Sequence, residues 1–164
     1  MSTDYDLNVQ VLIDTDGPLP VDRLEQAVAW VLRAHDVMQG TGVSVVITDD
    51  DEIQQMNRQY RGVDAPTDVL SFPDEPLPGE AEPYLGDLIL SLPYIRRQAE
   101  AEDHTLSDEL ALAVIHGTLH LLGYDHDTPA HQDLMWARQE EALRALDIQI
   151  VVPRFEFSDS DEEE

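Results

Sequence analysis

The chain has 164 residues, 42% of them apolar and none of them cysteine. That suits a domain with a real core and excludes disulfides, thiolate metal sites and cysteine nucleophiles. Asp and Glu total 35 against nine basic residues, all Arg, for a formal net charge of -26, and such a surface by itself argues against binding nucleic acid.

Leu7, Val9, Val11 and Ile13 alternate and predict a half-buried strand. Gly17-Pro18 marks a turn. From Val21 to His35, the positions Leu24, Ala27, Val28, Val31 and Leu32 have helical spacing. Gly40 and Gly42 bracket a loop, and Val43 to Thr48 reads as a second strand. Asp49, Asp50 and Asp51 place negative charge at the start of the next helix, which runs to about Tyr60 and ends at Gly62. Thr67 to Phe72 reads as a short strand closed by Pro73. Pro73 to Pro83 holds four prolines, Gly79 and four acids, an exposed loop.

Leu85 to Ser91 is a fourth strand, and Asp87 within it reads either as functional or as an exposed edge or turn position. Pro93 sits in the first turn of a helix running toward Glu102. Ser107 with Asp108 and Glu109 starts another helix. Thr128 caps a last helix that has Pro129 in its first turn and runs to about Leu146. Its candidate core positions are Leu134, Met135, Ala142, Leu143 and Leu146. Ile148 to Val152 reads as a short terminal strand. Ser158 to Glu164 is a charge run without an apolar residue and is expected to be disordered.

The expected architecture is one α/β (α+β) domain over residues 1–157, a small mixed four-stranded sheet packed with helices, followed by the acidic tail 158–164. No apolar run approaches the ~20 residues of a membrane span. The N-terminal residues lack a signal-peptide pattern. A soluble cytoplasmic protein is therefore the expectation.

The informative stretch is His116-Gly-Thr-Leu-His120-Leu-Leu-Gly-Tyr-Asp-His126. His116 and His120 are four apart, so on a helix they share a face. Gly123 suits a left-handed helix end, after which the chain can turn back and bring His126 toward the first two. Two His from a helix and one from the following turn make three corners of a tetrahedral Zn site, with the fourth open, as in catalytic zinc. The preceding run Leu110 to Ile115 is buried by its composition, so imidazoles continuing it need partners. The helix is expected to lie against the sheet.

Three neutral imidazoles leave Zn its full charge, which lowers the pKa of bound water toward ~7 and polarises carbonyl or phosphoryl oxygens. The reaction class is metal-assisted hydrolysis. A His-Glu-x-x-His protease has its general base beside the first ligand, where this chain has Gly117. Asp125 could orient a ligand or accept a proton, or simply form an Asx-turn. Arg61 has the planar donor fork that fits phosphate, although a surface Arg is the commoner case. Thr67 and Asp68 are capping or turn residues by default. His35, His104 and His131 fall outside the cluster.

The three-His stretch resembles the signature of the YbeY family of bacterial ribonucleases, the rRNA maturation factors. Further matches are Asn57-Arg58-Gln59-Tyr60-Arg61, Pro66-Thr67-Asp68-Val69-Leu70-Ser71-Phe72-Pro73, and Leu85 to Ser91 followed by Gln98-Ala99. Met135 with Glu140-Glu141 is the last. The resemblance spans roughly Val43 to Leu146, while Leu7 to Gly42 matches only in pattern.

The resemblance implies a zinc-dependent, single-strand-specific endoribonuclease that acts in 3′-end maturation of small-subunit rRNA and in ribosome quality control. It implies one Zn2+ per chain on His116, His120 and His126, a functional Arg61, and a zincin-like metal helix. Asp125 and Asp68 are the candidates for orienting roles. The implied partners are single-stranded RNA, small-subunit ribosomal proteins and an assembly GTPase, with no membrane.

The alternatives are a zinc peptidase or other metallohydrolase, or an assembly factor with a structural metal whose acidic surface attracts basic ribosomal proteins. The acidic tail and the absence of Lys depart from the family pattern. Adaptation to high salt, where the Debye length shrinks to ~3 Å at 1 M, is one reading of that charge. An acidic fold that needs no basic surface is the other.

Overall fold

The computed structural model describes residues 5–74, 84–148 and 150. The described residues form four strands and five helices in the order β1 (Asp6–Val11), α1 (Val21–Ala34), β2 (Gly42–Thr48), α2 (Asp50–Arg61), β3 (Val69–Pro73), β4 (Tyr84–Ser91), α3 (Leu92–Glu102), α4 (Leu106–Leu121) and α5 (Pro129–Ala145). The sheet order is β1-β2-β4-β3. β1, β2 and β4 run parallel, and β3 pairs antiparallel with β4. The mixed four-stranded sheet expected from the sequence is present.

The two-residue period of the strands sorts their side chains into two layers. Val43, Val45 and Ile47 of β2 and Leu88 and Leu90 of β4 enter the main core, with α1 and α4. Leu70 and Ile89 face the other way and meet Ile53 of α2 in a second, smaller cluster. One register places Val45 beside Leu88 and Leu70 beside Ile89, which keeps both layers apolar.

α4 is the central element. Every residue from Glu109 to Leu119 is buried, so the helix is covered all round rather than along one stripe. Its close approach to the sheet depends on Gly117. A Cβ there would lie 2.8 Å from Leu88 Cδ2 and 3.3 Å from both Ser71 Oγ and Val69 Cγ2.

Several local expectations are corrected. The cap of α4 is Thr105, whose hydroxyl accepts from Asp108 N at 3.1 Å, and not Ser107. Ser107 is occupied instead by Arg23, whose Nη1 donates to its hydroxyl at 2.6 Å beside the Arg23–Asp108 ion pair. Leu134 is 49% exposed, because the buried stripe of α5 runs through Met135, Trp136, Gln139, Ala142 and Leu143, one position away. β3 begins at Val69, since the Asp68 carboxylate accepts from Val69 N at 2.7 Å and turns the chain into the strand.

Asp87 lies at neither an edge nor a turn. β4 is paired on both sides, and Asp87 accepts a short hydrogen bond from the Tyr84 hydroxyl. The first strand ends at Val11, which at the sheet edge is 40% exposed. Of the proposed terminal strand, Ile148 and Ile150 are in no strand, and residues 149, 151 and 152 lie outside the described residues. The same holds for the tail 158–164 and for most of the loop between Pro73 and Pro83.

Candidate metal centre

Each ligand candidate is placed by an identifiable local device. His116 and His120 stack one turn apart on α4, with ring centroids 4.7 Å apart. The helix then closes in a Schellman turn: Gly123 N donates to His120 O and Tyr124 N to Leu119 O, both at 3.0 Å. Gly123 takes φ 102°, which a side chain would resist.

Tyr124 tethers this turn, with its hydroxyl 3.0 Å from Nε2 of His35, the residue that follows α1. Asp125 Oδ1 then accepts from His126 N at 2.8 Å. The chain has turned back, and the His126 ring stands 5.0 Å from His120 and 5.6 Å from His116. One donor atom from each of His116, His120 and His126 lies within 4.8 Å of the others, so the three could hold a metal ion.

The next helix finishes the site. Thr128 caps α5 by accepting from His131 N, with Pro129 in the first turn, as the sequence predicts. α5 brings the Trp136 ring to 6.0 Å from His116 and 5.7 Å from His126. It also places Gln139 Oε1 at 2.5 Å from His116 Nδ1. An amide oxygen only accepts, so Nδ1 carries the proton and Nε2 keeps its lone pair for an ion.

Electrostatics favour neutral rings at His116 and His120. Burial, then the nearby His120, holds His116 well below the ordinary imidazole range, against the pull of Gln139. Burial and the neighbouring His126 lower His120 to about 4, with Arg61 adding to the shift and Asp125 opposing it. Neutral imidazole is the form that binds zinc-type ions, so the donor set fits such a metal.

A cavity of about 440 Å³ opens beside these rings, and Arg61, Asp68, Asp125, His116 and His120 all line it. His126 is not among the lining residues and joins them through the imidazole cluster. Arg61 ends α2, and its charge reaches His120. The Asp68 carboxyl is pushed up by burial, against the donors of Val69, Thr67 and Gln98. His35, His104 and His131 have other partners: Val31 O and Tyr124, Glu109, and Asp127.

Sequence reasoning missed Gln139 and Trp136. A signal for Gln139 was available. It is a polar residue in the apolar stripe of α5, and a buried amide requires a partner. Position 117, where a His-Glu-x-x-His protease carries its base, faces the sheet.

A family model described as Endoribonuclease YbeY matches residues 14–147. The chain belongs to this family. The match begins well before Val43, so α1 falls within the family's own sequence pattern, while β1 precedes it. The Endoribonuclease YbeY of Roseiflexus castenholzii is 42% identical over 146 residues, 85% of this chain and 92% of that protein. That of Moorella thermoacetica is 48% identical over 135 residues, 77% of this chain and 84% of the relative. That of Pelotomaculum thermopropionicum is 46% identical, covering 86% and 95%. Among solved structures, the solution structure of TM1509 from Thermotoga maritima matches with a TM-score of 0.58 at 26% identity, over 85% of this chain and 88% of that one.

Proposed function

We propose that this chain is a zinc-dependent, single-strand-specific endoribonuclease that matures the 3′ end of small-subunit rRNA and serves ribosome quality control. The observation that carries the reading is a cluster of three imidazoles, two of which line one cavity with Arg61, in a member of the YbeY family. His116, His120 and His126 would hold one zinc ion. When bound there, the ion supplies Lewis acidity toward a phosphoryl oxygen and toward water.

The chain's own residues do the rest. Gln139 fixes the His116 tautomer through Nδ1. Asp125 holds the His126 backbone and thereby the angle at which that ring enters the site. Arg61, at the cavity wall, grips the phosphodiester with its fork of donors. Asp68 shapes the wall beside it, its carboxylate turned to the Val69 and Thr67 donors.

The proposed partners are single-stranded rRNA, small-subunit ribosomal proteins and an assembly GTPase. The -26 charge supports attraction to basic ribosomal proteins. No helix among the described residues is long and apolar enough to cross a membrane. Work on rRNA would place the protein in the cytoplasm.

The test is cleavage of a single-stranded RNA ending in the small-subunit rRNA 3′ sequence, by wild type and His120→Ala, with and without zinc, at low and high KCl. Zinc-dependent cutting that the variant loses is the expected result. Metal bound at His120 with no cutting in any condition would turn the reading toward an assembly factor whose metal is structural. Zinc-dependent proteolysis would turn it toward a peptidase.

A further inference from the structure

A ribonuclease with a formal net charge of -26 and no Lys has an unsolved problem: what holds its polyanionic substrate? Ordinary nucleic-acid affinity comes from many Lys and Arg contacts to phosphate and the counterions they release. Here the surface as a whole repels RNA, so the grip must come largely from groups whose attraction does not depend on charge. Aromatic rings are such groups, because every base has a π-face and stacking tolerates any sequence.

The metal cavity carries aromatic side chains on its outer wall. Tyr60, from the last turn of α2, is 62% exposed and lines it together with its chain neighbour Arg61. Phe72, from β3, lines it as well and is packed against the Ile53–Leu70–Ile89 cluster. The two rings meet edge to face, with centroids 5.4 Å apart at 72°. Phe72 is thus anchored in the core and Tyr60 is braced against it, so little ordering entropy remains to be lost on contact with a ligand. Tyr94 also reaches the cavity, but the Arg97 guanidinium already stands 5.2 Å over its ring.

We propose that Tyr60, braced by Phe72, is a stacking platform for an unpaired nucleobase next to the phosphate held by Arg61. The inference rests on the ribonuclease reading and deepens it. Consecutive residues at the end of one helix then take the base and the phosphate of a nucleotide. A base inside a duplex has both faces covered by its neighbours and offers none to Tyr60, so the platform also selects single strands. No base edge is read, so cleavage at this subsite tolerates any base.

The experiment measures steady-state cleavage by the zinc-loaded protein on a short single-stranded oligoribonucleotide. A single abasic nucleotide is placed in turn at each position flanking the mapped cut. The variants are Tyr60→Ala, Tyr60→Phe and Tyr60→Trp. Tyr60→Ala should raise KM roughly 5- to 150-fold with kcat within about threefold, the range of base–aromatic stacking. Phe and Trp, which keep a ring, should restore KM.

At one abasic position, the wild-type KM should rise to that of Tyr60→Ala, and the variant's should rise no further. The Tyr60→Ala defect should be the same at low and high KCl, because stacking is not screened as ion pairs are. The exposed position predicts a nearly unchanged melting temperature. A wild-type KM for Tyr60→Ala, or an equal defect on abasic and intact substrates at every position, would overturn the platform. Wild type that cuts no RNA at all would instead overturn the ribonuclease reading beneath it.

Discussion

Replacing Gln139 by Leu tests the assembly of the metal centre most directly. Gln139 is 2% exposed, and Leu fills a similar volume while removing the oxygen that His116 Nδ1 contacts at 2.5 Å. His116 is itself 4% exposed, so little of its ring meets solvent. A buried N–H that loses its acceptor costs about 1–3 kcal/mol. The ring also becomes free to carry its proton on Nε2, the nitrogen a metal needs bare. Loss of such a partner weakens metal binding by about 10- to 100-fold. At 1.4 kcal/mol per tenfold, that is about 1.4–2.8 kcal/mol, the same range reached from the hydrogen bond alone.

The assay is zinc affinity by competition with a chromophoric chelator, combined with 15N chemical shifts of the His116 ring in the metal-free protein. Wild type should show one tautomer, protonated at Nδ1, and Gln139→Leu a mixture. Gln139→Glu keeps an acceptor and should bind zinc at least as tightly as wild type, because a carboxylate makes the ring a more basic ligand. Gln139→Leu that folds, keeps the single tautomer and binds zinc within twofold of wild type would refute the reasoning. Equal weakness in the Leu and Glu variants would locate the effect in packing instead.

Protons compete with metal only below a ligand's metal-free pKa. His120 sits at about 4 and His116 well below its ordinary range, so neither ring should take up a proton near pH 6.5; protonation of either there, followed by 15N shifts in the metal-free protein, would contradict this. The same depression makes the metal-free fold stable above pH 6.5 and weaker as pH falls toward 4, by roughly 3 kcal/mol from His120, measurable by urea denaturation. Arg61→Ala should retain zinc affinity but lose about 100-fold or more in RNA cleavage, since the residue acts on phosphate rather than on the metal; unchanged cleavage would remove it from the mechanism. Gly86→Ala should cost about 3 kcal/mol or more in a denaturation experiment, because Gly86 has φ 151° and a Cβ would come within 2.4 Å of Phe72 O.

The sequence made the elements legible where a pattern is carried by several residues at once. Val43 to Thr48 is rich in β-branched residues and the 24-27-28-31-32 spacing of α1 repeats a helical period, and both elements appear within a residue or two. The His cluster was legible for a different reason: helical geometry fixes His116 and His120 relative to each other, and a glycine announces the turn that returns His126. What stayed hidden depends on tertiary neighbours. Ser107 looked like a cap until Arg23, 84 residues away in sequence, claimed its hydroxyl. Leu134 looked like core because α5 has no strong apolar face, and one residue's rotation decides which Leu is inside. Gln139 meets His116 across 23 residues, and no local period reports such a contact.

The acidic residues around the site are arranged so that they do not quench it. Asp68 Oδ1 accepts from Val69 N and the Thr67 hydroxyl, and Asp125 Oδ1 accepts from His126 N. Neither residue belongs to the donor set, which consists of imidazoles alone. An ion held by neutral ligands keeps its whole charge, whereas each carboxylate ligand would cancel part of it. In a protein at -26, an ion of undiminished charge and Arg61 would together provide the local attraction a phosphodiester needs once it has been brought near. The global and local charges would then serve separate steps. The surface would discourage loose polyanion binding, and the small positive centre would act only on a strand that enters the cavity.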